Sequence, residues 1–221
     1  DKELADPQGF GKIEYAYYLM ATGAGIDMSE CRLHHEGGRS HFMTRRFDRD
    51  GRGRKLHMQS LGAIQHFDFN DPASYSYEQA ILTIRDLGLG MDVVEQQYKR
   101  AVFNVVARNQ DDHVKNISFL MDRSGAWRLS PAYDMAYSYN PSGSWTRDHQ
   151  MSLAGKRNDF THGDLMVFAS NVGLKSNKAN QAIEDIVDAV AKWQEFAEQA
   201  GVEHSDVSRI EKTFRMNLRG K

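Results

Sequence analysis

The chain has 221 residues, a net charge of −2, 40% apolar residues and four prolines. Such a composition can bury a core and excludes wholesale disorder, and the charge excludes a global basic field for nucleic acid. Its single cysteine, Cys31, excludes an internal disulfide and suits a reducing cytoplasm; no signal peptide opens the chain and no apolar run approaches the ~18 residues of a membrane span.

In chain order, Ile13, Ala16, Tyr17, Met20 and Ala21 recur at helical spacing and predict a helix over about 10–22, ended by Gly23 and Gly25. Glu30–His35 and Ser40–Phe47 read as strands around a Glu36-Gly37-Gly38 turn. Asp48–Lys55 is a glycine- and arginine-rich loop. The cationic run Arg45, Arg46, Arg49, Arg52, Arg54 and Lys55 reads as a solvated loop at its tip, with an Arg46–Asp48 pair holding the junction between the lobes. Helices are expected over 57–67, 75–87 and 92–108, and again over 162–172 and 178–199. The last carries an apolar face of Ile183, Ile186, Val187, Val190, Trp193 and Phe196.

The stretch between Arg108 and Asp134, RNQDDHVKNISFLMDRSGAWRLSPAYD, carries the chemistry. Asn109-Gln110-Asp111-Asp112 breaks the preceding helical stripe with turn-forming residues. Ile117–Met121 is an apolar run suited to a buried strand, Asp122-Arg123-Ser124-Gly125 is a turn, and Trp127-Arg128-Leu129 can return as its partner. That hairpin would fold Asp134 back beside Asn116. The five-residue step from Asp111 to Asn116 equals that of the protein-kinase catalytic loop, H-R-D-x-x-x-x-N. Phosphoryl transfer needs a group that orients the attacking hydroxyl and hard oxygen ligands for magnesium; Asp111 supplies the first, Asn116 and Asp134 the second. Asp112 reads as the residue that orients the loop. The plainer alternative for the hexapeptide alone is a polar turn whose carboxylates cap nearby amides. Lys115 either lays its charge on the transferred phosphate or is a solvated loop lysine. Nine histidines without a closed ligand set, beside one cysteine, argue against zinc.

DDHVKN followed by SPAYDMA resembles the catalytic core of the HipA-like serine/threonine kinases, the toxins of bacterial toxin–antitoxin modules. HFMTRRFDRDG at 41–51, KLHMQSLGA at 55–63 and SLAGKRNDFT at 152–161 agree, so the likeness runs through nearly the whole chain. The resemblance implies an α+β, protein-kinase-like fold: a partial, β-containing N-lobe over 1–50 and a mainly helical C-lobe over 51–221. It implies ATP and Mg²⁺ as cofactors, Asp111 as catalytic base, and Asn116 with Asp134 as magnesium ligands. His113 and Lys115 complete the family's D-x-H-x-K-N signature. Thr44-Arg45-Arg46-Phe47 resembles the hinge that meets the adenine ring through its backbone, which places Thr44, Arg46 and Phe47 at the nucleotide. Glu14 stands where the family has a helix glutamate, and Lys156-Arg157 is expected beside the protein-substrate cleft. The implied substrate is a protein of translation, notably an aminoacyl-tRNA synthetase. The implied partner is a helix-turn-helix antitoxin, with DNA reached only through it.

One departure qualifies the match. The family's glycine-rich phosphate loop and strand lysine have no counterpart in these 221 residues, and Gly9-Phe10-Gly11-Lys12 is not such a loop. The missing initiator methionine fits a fragment, for which weak ATP binding and no activity in isolation are expected. Two other readings stay open: a small-molecule phosphotransferase, which shares the Asp-to-Asn loop, and a non-catalytic binding or regulatory fragment.

Overall fold

Helix α1 (Phe10–Gly23) forms on the predicted stripe and buries Ile13, Ala16, Tyr17, Met20 and Ala21. It opens a computed structural model that describes residues 9–220, so the first eight residues of the expected opening segment lie outside the described part. An antiparallel hairpin comes next, β1 (Cys31–Glu36) and β2 (Arg39–Thr44), with Glu36 opposite Arg39. Its two-residue turn holds Gly37 and Gly38 at φ of 56° and 75°. Two consecutive left-handed residues match the twist of the flanking strands, and glycine supplies them without a Cβ clash. The hairpin lies close on α1: a Cβ at Gly11 would stand 2.7 Å from the Ser40 carbonyl oxygen.

β2 ends at Thr44, short of the predicted Phe47. The Arg45 N–H still reaches Glu30 O at 2.9 Å, and then the chain turns. The Asp48 carboxylate accepts a two-pronged bond from Arg46 at 2.8 and 2.7 Å and a further one from Arg49 at 2.5 Å. The expected Arg46–Asp48 pair is thus present, and Arg49 joins it.

Residues 57–67 are not the predicted helix. His57–Ser60 is strand β3 and only Leu61–Gln65, α2, is helical. β3 pairs antiparallel with β4 (Ser118–Met121), which pairs with β5 (Trp127–Leu129) in a three-stranded sheet. Helical spacing in a short window competes poorly with a ready strand edge, and Ser60 marks the switch by capping α2 at the Ala63 N–H.

The other regular elements are mainly helices: α3 (Tyr77–Asp86), α4 (Met91–Val106), α5 (His162–Asn171), α6 (Ser176–Ala191), α7 (Trp193–Ala200) and α8 (His204–Glu211). Reciprocal caps start two of them, Ser76 with Gln79 in α3 and Thr161 with Asp164 in α5. The single helix expected over 178–199 is two, broken at Lys192, and α8 has no counterpart among the predicted elements. The break lets Trp193 bury its ring and donate its indole N–H to Val207 O at 3.1 Å. One apolar core runs through α1, α3, α4, α5, α6 and α7, so α1 shares its burial with the helices beyond residue 51. Tyr17 seals that junction by donating to Ala107 O at 2.5 Å, at the end of α4. No helix among the described residues is long and apolar enough to cross a membrane.

Candidate active site

The buried helix α4 aims the loop beyond its C-terminus. Arg108 adopts a left-handed conformation, φ 59°, and the Asn109 N–H turns back to Asn104 O at 3.0 Å. From there 110–117 runs as an irregular segment stapled to α2, with the Gly62 N–H on Val114 O at 3.0 Å and the Leu61 N–H on Ile117 O at 2.8 Å. Loop backbone buried in this way needs such partners.

Inside the loop, Asn116 donates its side-chain N–H to Asp111 O at 2.9 Å. That bond uses one of the two amide N–H groups and leaves Oδ1 without a hydrogen bond among the described residues. The β4–β5 hairpin then returns the chain as predicted. Tyr133 donates its hydroxyl to Lys115 O, and because that proton is spent, Ser118 Oγ must be the donor in its 2.5 Å bond to Tyr133 Oη. Asp134, the next residue, is held at φ 57°. Aspartate tolerates this region better than most side chains, and such strain collects at functional sites. Asn116 and Asp134 consequently line one small cavity, together with Asn109, Asp112 and His113.

Electrostatics group the carboxylates. Burial pushes the Asp111 carboxyl above its usual range; the neighbouring imidazole of His113 opposes this, and the charges of Asp134 and Asp112 add to it. His113 Nε2 stands 4.0 Å from Asp111 Oδ1. On α1, burial and then the Asp134 charge raise Glu14 from 4.5 to about 7.

Glu14 makes a testable contribution to stability. Its folded pKa lies above its unfolded value, so the contribution is present below pH 4.5 and lost as pH rises through about 7. A Glu14→Gln chain should match wild type near pH ~4 and exceed it by roughly 2 kcal/mol near pH ~8, allowing for partial solvation of the carboxyl. Urea unfolding at the two pH values measures this; a wild-type advantage at the higher pH contradicts it.

Lys115 is exposed, with its ammonium 2.9 Å from the centre of the Phe69 ring. The exposed lysine therefore has a partner, one without a sequence signal. The same ring packs edge-on to His113.

Asp112 behaves oppositely to its neighbour. It is buried and accepts from Tyr77 Oη at 2.7 Å, from His149 Nδ1 at 2.7 Å and from the Gln150 N–H at 2.8 Å. Arg215 Nη1 lies 3.0 Å from His149 Nε2 and can only donate, so Nε2 accepts and Nδ1 carries the proton given to Asp112. Asp112 thus orients the loop, as expected; Tyr77, His149 and Arg215 had no local sequence signal, because they lie 35 and 37 residues from Asp112 and 66 residues from His149 respectively.

A larger groove of about 840 Å³ is lined in part by His113, Lys115 and Asn116. Its walls include Asp48, Arg49, Leu56, Met58 and Tyr133. The expected hinge approaches it: Phe47 packs on Tyr133 with ring centres 5.3 Å apart, and the chain enters the wall at Asp48. Thr44 and Arg46 are exposed before that point, and Arg46 is spent on Asp48. The second basic pair is structural in its contacts. Lys156 meets Asp164 at the start of α5 at 2.8 Å, and Arg157 donates to His149 O at 2.5 Å.

The donors present suit magnesium. Asn116 Oδ1 and the Asp134 carboxylate are hard oxygens, and magnesium commonly takes one or two protein ligands with the rest from phosphates and water. Among the described residues no three His, Cys, Asp or Glu side chains gather into an all-protein metal cage.

Comparison with known proteins bears on the family and the fold. The model of the HipA-like C-terminal domain matches residues 2–194. A Haemophilus influenzae protein named "Putative kinase" is 23% identical over 93% of this chain and 68% of its own length. "Putative kinase Y4mE" of Sinorhizobium fredii is 24% identical over 78% of this chain, which spans only 43% of that protein. Among solved structures, HipA of Shewanella oneidensis, in a complex with HipB and operator DNA, superposes with a TM-score of 0.75 at 16% identity, covering 96% of this chain and 55% of HipA. The Helicobacter pylori proinflammatory kinase CtkA gives 0.56 at 11% identity, covering 96% of this chain and 86% of its own. The fold is kinase-like, with small sheets and many helices, and the chain belongs to the HipA-like C-terminal domain family.

Proposed function

We propose that the chain is the catalytic core of a HipA-like serine/threonine protein kinase that transfers the γ-phosphate of ATP to a protein hydroxyl. One observation carries the reading: the Asp111 backbone holds Asn116 through its Nδ2, Asn116 borders one small cavity with Asp134, and the Asp111 carboxylate stays free of hydrogen bonds among the described residues. In this reading Asp111 accepts the hydrogen bond of the substrate hydroxyl and takes its proton as the oxygen bonds to phosphorus and ADP departs. A carboxylate at fixed reach is what a loose phosphoryl-transfer transition state requires. Bound magnesium, held by Asn116 and Asp134, would neutralise phosphate charge. His113 and Lys115 border the groove in which ATP would lie, and the segment ending at Phe47 would meet its base. Residues 1–50 then serve as part of an N-lobe and 51–221 as the C-lobe.

Membership of the family supports a toxin–antitoxin role, with a helix-turn-helix antitoxin as partner, DNA contacted through that partner, and a translation component such as an aminoacyl-tRNA synthetase as target. Residues 1–221 carry no glycine-rich loop or strand lysine, so the phosphates would lack most of their donors. The 221-residue chain alone should show no measurable autophosphorylation, and adding a family N-lobe in trans or as a fusion should restore it. Robust magnesium-dependent activity from the chain alone would overturn that account. In the completed kinase, Asp134→Asn should abolish the dependence of ATP binding on magnesium, read by titration calorimetry; unchanged dependence removes Asp134 as a ligand.

A further inference from the structure

Four buried polar atoms without a hydrogen-bond partner among the described residues belong to four residues that line one cavity: Gln97 Oε1, Arg100 Nε, Asn109 Oδ1 and His113 Nδ1. The cavity measures about 20 Å³, room for a single water molecule, and lies against Asn116 and Asp134 on the α4 side. The orientation of Asn109 is set by its own contacts. Its Nδ2 donates to Asn104 Oδ1 at 3.0 Å and to Asp134 O at 3.4 Å, so Oδ1 is the atom left over. Arg100 spends Nη2 on Ser130 O at 2.8 Å, which leaves Nε–H as a donor without an acceptor.

We propose that this cavity is a binding site for one ordered water, which ties α4 to both limbs of the active site. Its donor and acceptor complement fits. Water gives two protons, matched by the oxygens of Gln97 and Asn109, and offers two lone pairs, one matched by Arg100 Nε–H and the other by His113 Nδ1. Buried polar atoms are costly unless paired, and a roomy polar pocket with two to four partners is where internal water is found. A metal ion is a poor occupant of the space between these four atoms, because Arg100 presents a proton and a positive charge there. From the water one path runs through Asn109 to the backbone of Asp134. The other ends at His113, which donates through Nδ1–H and whose Nε2 stands 4.0 Å from Asp111 Oδ1. Gln97 and Arg100 thereby become positioning residues, acting through the water and touching neither carboxylate themselves. The assignment stands whether or not the chain proves to be a kinase.

A crystal structure of the 221-residue chain that resolves internal solvent tests this directly. Expected is one peak within hydrogen-bond distance of at least three of the four atoms. No peak between the four atoms, a metal ion bonded to them in its place, or Arg100 Nε bonded directly to Gln97 or Asn109 overturns it. In solution, cross-relaxation from a long-lived water to the Asn109 and His113 amides is expected in wild type and in Gln97→Glu, which keeps an acceptor. It should be lost in Gln97→Leu, with shifts of the Asp134 and His113 amide resonances while the circular dichroism stays unchanged. Absence of the signal in wild type, or its persistence with unmoved resonances in Gln97→Leu, overturns the site.

Discussion

An Asp111→Ala variant of the kinase completed with a family N-lobe is expected to transfer phosphate ~10²–10⁴ times more slowly, the usual span for losing a positioned general base. Its fold should hold. The Asp111 side chain makes no hydrogen bond among the described residues, only the 4.0 Å approach of His113. The contact that matters for local structure is its carbonyl oxygen, which holds the Asn116 amide at 2.9 Å and survives truncation to alanine. Stability should therefore shift by no more than ~0.5 kcal/mol, as for a substitution that leaves no buried group unpaired. Single-turnover transfer alongside thermal unfolding tests both halves. Retained transfer would remove Asp111 from the role of base, and a collapsed fold would mean that the carboxylate is structural.

Asp112→Ala should do the reverse, one residue away. Its carboxylate accepts from Tyr77, His149 and the Gln150 backbone in a buried site, and truncation leaves three donors facing nothing. Burial holds Arg215 down at about 10, and Asp112 is among the charges that oppose that effect. Breaking one partner out of a buried ionic network costs roughly 3–5 kcal/mol, enough to consume much of a typical domain's stability of about 5–15 kcal/mol. The denaturation midpoint should fall accordingly. A midpoint within ~0.5 kcal/mol of wild type would show that the network contributes little beyond its own desolvation. Asp112→Asn should lie between the two, because Asn can still accept from Gln150 but offers an N–H₂ group that cannot accept from His149 or Tyr77.

The contrast between these neighbours shows where sequence reading stops. Spacing to Asn116 singles out Asp111 and leaves Asp112 to the loop. Nothing local could name Tyr77 and His149 as its partners, or Arg215 as the partner of His149, since each comes from a distant part of the chain. Phe69 escapes for a related reason: a lone aromatic in a polar loop has no periodicity, and its place over Lys115 depends on how the 66–76 connection crosses the catalytic loop. Residues 57–60 defeat a local reading because four residues fit either period, and the edge of β4, far along the chain, decides the outcome.

By itself the sequence determined the family, the helix α1, both hairpins, and the order of carboxylate, amide and carboxylate in Asp111, Asn116 and Asp134. These are encoded by short-range signals: turn residues, apolar spacing and a motif of fixed step. Tertiary structure alone decided which aspartate stays free and which is buried, the left-handed backbone that presents Asp134, and the polar cavity behind it. The physical reason is that desolvation and hydrogen-bond satisfaction depend on every group that surrounds an atom, and those groups are assembled only when distant segments pack.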